Sequence, residues 1–101
     1  MHFEKDEKQI RILRREIDRQ TEKMLHALKK RLEAAEKIGK IKKRSKKKIK
    51  DKKREKQVLE KTAKYAKKIG LSQKTTKKLI NYCISKSRQK QKSIKTKKHS
   101  K

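Results

Sequence analysis

The sequence predicts an all-α protein: a three-helix protomer with one long N-terminal helix, paired with a second copy of itself. Three observations carry this. The chain of 101 residues has no Pro and only two Gly, so little interrupts a helix. Its apolar residues recur at spacings of three, four or seven, the period of a helix with one apolar stripe, and no stretch alternates for long as a strand would. Apolar content is 29% and charged content 49%, so a lone protomer buries a thin core and association is the remedy.

The elements follow in order. Residues 1–8 are polar and expected to fray. The first helix is expected from near Lys8 to about Arg44, with Leu13, Ile17, Met24, Leu28, Leu32, Ala35 and Ile38 as its stripe. At roughly 1.5 Å per residue it spans about 55 Å, more than short partners within one chain can cover. The same helix of a second chain can cover it. Gly39 lies inside this helix, where it costs about 1 kcal/mol relative to Ala, so close packing is its expected reason. The SKKKIK run from Ser45 to Lys50 suits a loop, and Asp51 suits the N-cap of a second helix, Lys52 to Ile69. Val58, Leu59, Thr62, Ala66 and Ile69 form that helix's stripe, with Tyr65 beside it, and Gly70 stops it. Ser72 caps a third helix expected to run to about Lys92. Its stripe holds Ile80 and Ile84, then continues in Ser87 and Gln91. Polar residues on a buried line mean either a stripe ending at a frayed terminus or a pocket wall. One domain over 1–92 and a disordered basic tail over 93–101 complete the division.

Formal net charge is +27. Residues 40–54 hold eleven Lys or Arg against one acid, and residues 86–101 hold eight against none. Such a surface attracts polyanions, so a basic helical nucleic-acid-binding protein is the competing reading, and non-specific nucleic-acid binding is compatible with either. Against it, aromatic content is 3%, no RNA-binding aromatic motif occurs, and Tyr65 and Tyr82 fit core edges. No apolar run is long enough to span a membrane and no signal-peptide pattern opens the chain. The single Cys83 leaves no internal disulfide, which suits the cytoplasm. His2, His26 and His99 are too scattered for a metal site, and neither metal nor cofactor is expected.

Taken alone, any Lys or Arg here is a solvated helix flank. Three on the first helix, Arg14, Arg31 and Lys42, can be compared by direction. At about 100° per residue, Arg31 and Lys42 fall within roughly 20° of each other, while Arg14 points about 80–100° away. Arg31 and Lys42 could grip one small anion together, and Arg14 would have to reach it from a second copy or another helix. Glu55 on its own is an ordinary surface acid, with Lys52 as its possible partner one turn back.

The segments LRREID, KRLEAAEKIGKIK, IKDKKREKQVLE and ISKSRQKQ, taken together, resemble the all-helical chorismate mutases. The family's functional positions find matching residue types in Arg14, Arg31, Lys42, Asp51, Arg54, Glu55, Ser87 and Gln91. The resemblance implies an intertwined helical homodimer with two sites, each completed by Arg14 of the partner chain. It implies the rearrangement of chorismate to prephenate in aromatic amino-acid biosynthesis, a pericyclic step without nucleophile, metal or cofactor. Arg14 and Arg31 would hold the substrate's carboxylates. Lys42 would touch a carboxylate and the ether oxygen, and Gln91 would donate to that oxygen. Glu55 would accept from the substrate hydroxyl. Asp51 would offer a backbone N–H, Ser87 would sit near a carboxylate, and Arg54 would orient neighbouring acids. The sequence departs from the family in its loop, SKKKIK where a Pro is common, in its lysine density, and in its C-terminal tail.

Overall fold

A computed structural model describes the backbone of residues 2–99 and the side chains of residues 3–93. It holds three helices, α1 (His2–Arg44), α2 (Lys52–Ile69) and α3 (Gln73–His99), and no strand among the described residues. None of these helices is long and apolar enough to cross a membrane. The chain divides into two compact units, residues 1–30 and 31–101, and α1 contributes to both.

Helix α1 begins at His2, not near Lys8: nothing in the first residues breaks a helix, and Glu4 stands in the first turn, where the helix dipole favours an acid. In the first unit Leu28 of the stripe is half-buried, and most of the large apolar side chains are exposed. Phe3, Ile10, Ile12, Leu13, Ile17, Met24 and Leu25 are between 45 and 69% exposed. Local contacts serve this stretch: Arg19 pairs with Glu16, Gln20 donates to Glu16 at 2.6 Å, and the Thr21 hydroxyl donates to the Ile17 carbonyl at 2.9 Å.

The second unit packs the end of α1, α2 and α3 around small residues. Among the described residues, Ala35 and Ala66 are its buried apolar side chains, and Gly39 is buried too. Small side chains let helix backbones approach, and Gly39 shows how closely. A Cβ there would stand 3.0 Å from the Gln91 Cα. Glu36 on α1 also meets Lys90 on α3 at 3.3 Å.

The three ends between α1 and α3 that carry a recognisable cap residue follow sequence rules. Asp51 caps α2, its carboxylate accepting from the Arg54 N–H at 3.0 Å. Gly70 closes α2 in the left-handed region at φ 78°, and the Leu71 N–H returns to the Ala66 carbonyl at 2.8 Å. Ser72 caps α3 through the Thr75 N–H. The exception is the end of α1. There Lys46 takes φ 56°, and the Lys47 N–H closes onto the Lys42 carbonyl at 2.8 Å. This is the geometry a glycine usually serves, made here by a lysine.

Helix α3 runs to His99, past the expected end at Lys92 and through the stretch read as a disordered tail. No Gly or Pro follows Gly70 to stop it. The side chains of residues 94–99, and residues 100 and 101, lie outside the described residues.

Candidate active site

A pocket of about 360 Å³ opens within the second unit, in the usual range for small-molecule sites. Its walls come from the end of α1, the loop before α2, the first turns of α2 and the middle of α3. Ala35, Ile38, Val58 and Ile84 give it an apolar side suited to a carbon ring. The polar side is dense in charge, with Arg31, Lys42, Arg54 and Arg88 against Asp51 and Glu55. An excess of cations over acids favours an anionic ligand.

Several of these polar groups are held by their neighbours. On α1, Arg31 donates from Nη1 to the Cys83 carbonyl at 3.1 Å and to the Ser87 hydroxyl oxygen. Both partners lie on α3, so that helix sets the direction of the guanidinium. A guanidinium has five N–H donors in a planar fork, so most of it remains for a carboxylate. Lys42 lies three turns along α1 from Arg31. Its Nζ donates to the Ile49 carbonyl at 2.7 Å. That bond anchors the ammonium to the loop and leaves two further donors.

Helix α2 brings Asp51, Arg54 and Glu55 to the rim. Besides capping with its side chain, Asp51 accepts the Glu55 N–H on its carbonyl at 2.9 Å. Both acids therefore sit where a helix N-terminus has free donors and positive potential. Glu55 does not pair with Lys52. Its partner is Arg88 on α3, whose Nη2 donates to Oε1 at 3.0 Å and Oε2 at 2.9 Å. Arg88, which the sequence did not single out, thus holds Glu55.

Helix α3 supplies Ser87, Arg88 and Gln91 within little more than one turn. The polar continuation of its stripe is therefore a pocket wall, and α3 does not fray there. Gln91 is 8% exposed, pressed against Gly39. Its Oε1 is buried without a partner, and so is the Nε of Arg88. Leaving a buried polar atom unpaired costs about 1–3 kcal/mol, which a ligand can recover. Both atoms belong to residues of the pocket lining.

Seven of the eight residues singled out in the sequence thus line one pocket: Arg31, Lys42, Asp51, Arg54, Glu55, Ser87 and Gln91. Arg14 lies in the first unit. Sequence reading missed Arg88, one of many basic residues on α3. The available signal was its place between Ser87 and Gln91, at the turn where the apolar line becomes polar.

Fold and pocket together define a class: an all-helical protein with a cation-rich pocket for a small anion. The family model for chorismate mutase type II matches residues 13–92. The chain belongs to that family, whose members are chorismate mutases, isomerases of aromatic amino-acid biosynthesis. No curated protein matches the chain.

Proposed function

We propose that this pocket rearranges chorismate to prephenate by holding the substrate in its reactive shape and stabilising charge at its ether oxygen. The observation that carries the reading is the convergence of Arg31, Lys42, Glu55 and Gln91 on one pocket. Chorismate is a dianion with one hydroxyl and a flexible ether side chain. Its rearrangement breaks C–O and makes C–C within one molecule, so the protein must restrict conformation and meet developing charge.

In this mechanism Arg31 grips one carboxylate through its planar fork. Lys42, anchored at Ile49, places its remaining N–H groups between a carboxylate and the ether oxygen. A half-turn of the Gln91 carboxamide exchanges its oxygen and nitrogen, so that Nε2 donates to the same oxygen. As C–O breaks, negative charge grows there, and the two donors bind the transition state more tightly than the substrate. Glu55 accepts from the hydroxyl. With its oxygen accepting from Arg31, Ser87 has its own O–H free for a carboxylate. Asp51 presents its backbone N–H at the start of α2, and Arg54 adds positive potential at the rim.

The second carboxylate is met by Arg14 of a partner chain, in an intertwined homodimer. Support comes from the exposed apolar side chains of the first unit, with Leu13, Ile17 and Met24 on one face of its helix. We place the enzyme in the cytoplasm, where a lone thiol such as Cys83 stays reduced. The nucleic-acid reading explains the lysines but gives no reason for the pocket. The deciding experiment follows chorismate by its ultraviolet absorbance in the presence of purified protein and chelator. Loss of absorbance with prephenate as product supports the proposal; turnover no faster than the buffer reaction ends it.

A further inference from the structure

We infer that Arg88 is a positioning residue of this site: it fixes the Glu55 carboxylate to receive the substrate hydroxyl. The inference rests on the mutase reading above and assigns a role to a residue outside its core set. Arg88 lies on α3 beside Ser87, and its guanidinium lines the pocket. Its Nη2 bridges both oxygens of Glu55, at 3.0 and 2.9 Å, and ties the first turn of α2 to the middle of α3. The pair is partly buried, with the Glu55 side chain 24% exposed and that of Arg88 38%.

Two physical consequences follow. A carboxylate has about four lone-pair positions, and a nitrogen lying between its oxygens uses only the inner pair. The outer positions stay open to a hydroxyl donor. The second consequence concerns competition. The chain carries 38 Lys and Arg, and a free glutamate at the pocket rim would be drawn toward whichever ammonium was nearest. A planar guanidinium from the facing helix holds one orientation, where a lysine would supply only a point charge. Arg88 also offsets the charge of Glu55 before a dianion enters.

The test compares chorismate with an analogue in which hydrogen replaces the hydroxyl, using wild type, Arg88→Ala and Arg88→Lys. Circular dichroism checks that each variant is helical. Arg88→Ala is expected to lower kcat/KM for chorismate about tenfold, the scale of one hydrogen bond to a charged group, and for the analogue about twofold or less. Arg88→Lys should keep most of the affinity for the dianion yet lose most of the preference for the hydroxyl. Should Arg88→Ala fail to fold, Arg88→Lys carries the comparison. Equal losses on both substrates, or a lysine variant with full hydroxyl preference, would overturn the positioning role. Wild type inert toward chorismate would instead remove the mutase reading beneath it.

Discussion

Lys42 and Gln91 are the two side chains whose loss should be felt at the chemical step itself. Removing one preorganised donor to developing charge costs about 10²–10³ in rate in comparable sites. Lys42→Ala should therefore lower kcat by about that factor with helix content unchanged, as single-turnover kinetics and circular dichroism would show. Gln91→Glu separates donor from acceptor. Only the protonated acid can donate to the ether oxygen, so its kcat should be highest at low pH and fall as pH rises; a flat profile would remove Gln91 from that role. At this scale the sequence was readable where helix periodicity applied. Arg31 and Lys42 share a face by arithmetic, and Ser87 and Gln91 sit on a line begun by Ile80 and Ile84. The partner of Glu55 was not readable. Its local candidate was Lys52, whereas Arg88 is 33 residues away and reaches it only through the packing of α2 on α3.

Gly39 is the clearest instance of an element placed by one residue. As a helix residue, Gly39→Ala should gain about 1 kcal/mol. Here the added Cβ would meet the Gln91 backbone at 3.0 Å, which a side-chain rotation cannot relieve. Overpacking of this kind costs about 1–3 kcal/mol, so the variant should melt at a lower temperature. Because α3 must move at Gln91, its kcat should also fall by at least about tenfold. Lys46 predicts the opposite sign. A side chain held at φ 56° is strained, and Lys46→Gly should raise the melting temperature, by about 0.5–1 kcal/mol in stability, with kcat unchanged. The sequence disclosed the closeness at Gly39, since an interior glycine needs a reason. It hid the turn at Lys46, since no glycine marks it. The caps Asp51, Gly70 and Ser72 were legible because each acts through its own backbone neighbours. The true ends of α1 and α3 were not, because polar composition alone does not end a helix that lacks Gly and Pro.

For the whole molecule, the proposed homodimer has to bring two strongly basic chains together. Each carries +27, and pairing brings like charge into one particle. The exposed apolar side chains of the first unit favour association, while Coulomb repulsion opposes it and salt screens that repulsion over about 10 Å at 0.1 M. Dimerisation should therefore tighten as salt rises, measured by sedimentation equilibrium. Weakening with salt would mean that ion pairs, not apolar contacts, hold the assembly. The measurement that bears most directly on the account is complementation between Arg14→Ala and Lys42→Ala protomers. Each variant alone should be nearly inactive. Random mixing makes half of the dimers mixed, and each mixed dimer regains one intact site of two, so activity should recover to about a quarter of wild type. A mixture no more active than the mean of its parents would contradict a site completed by cations from two chains.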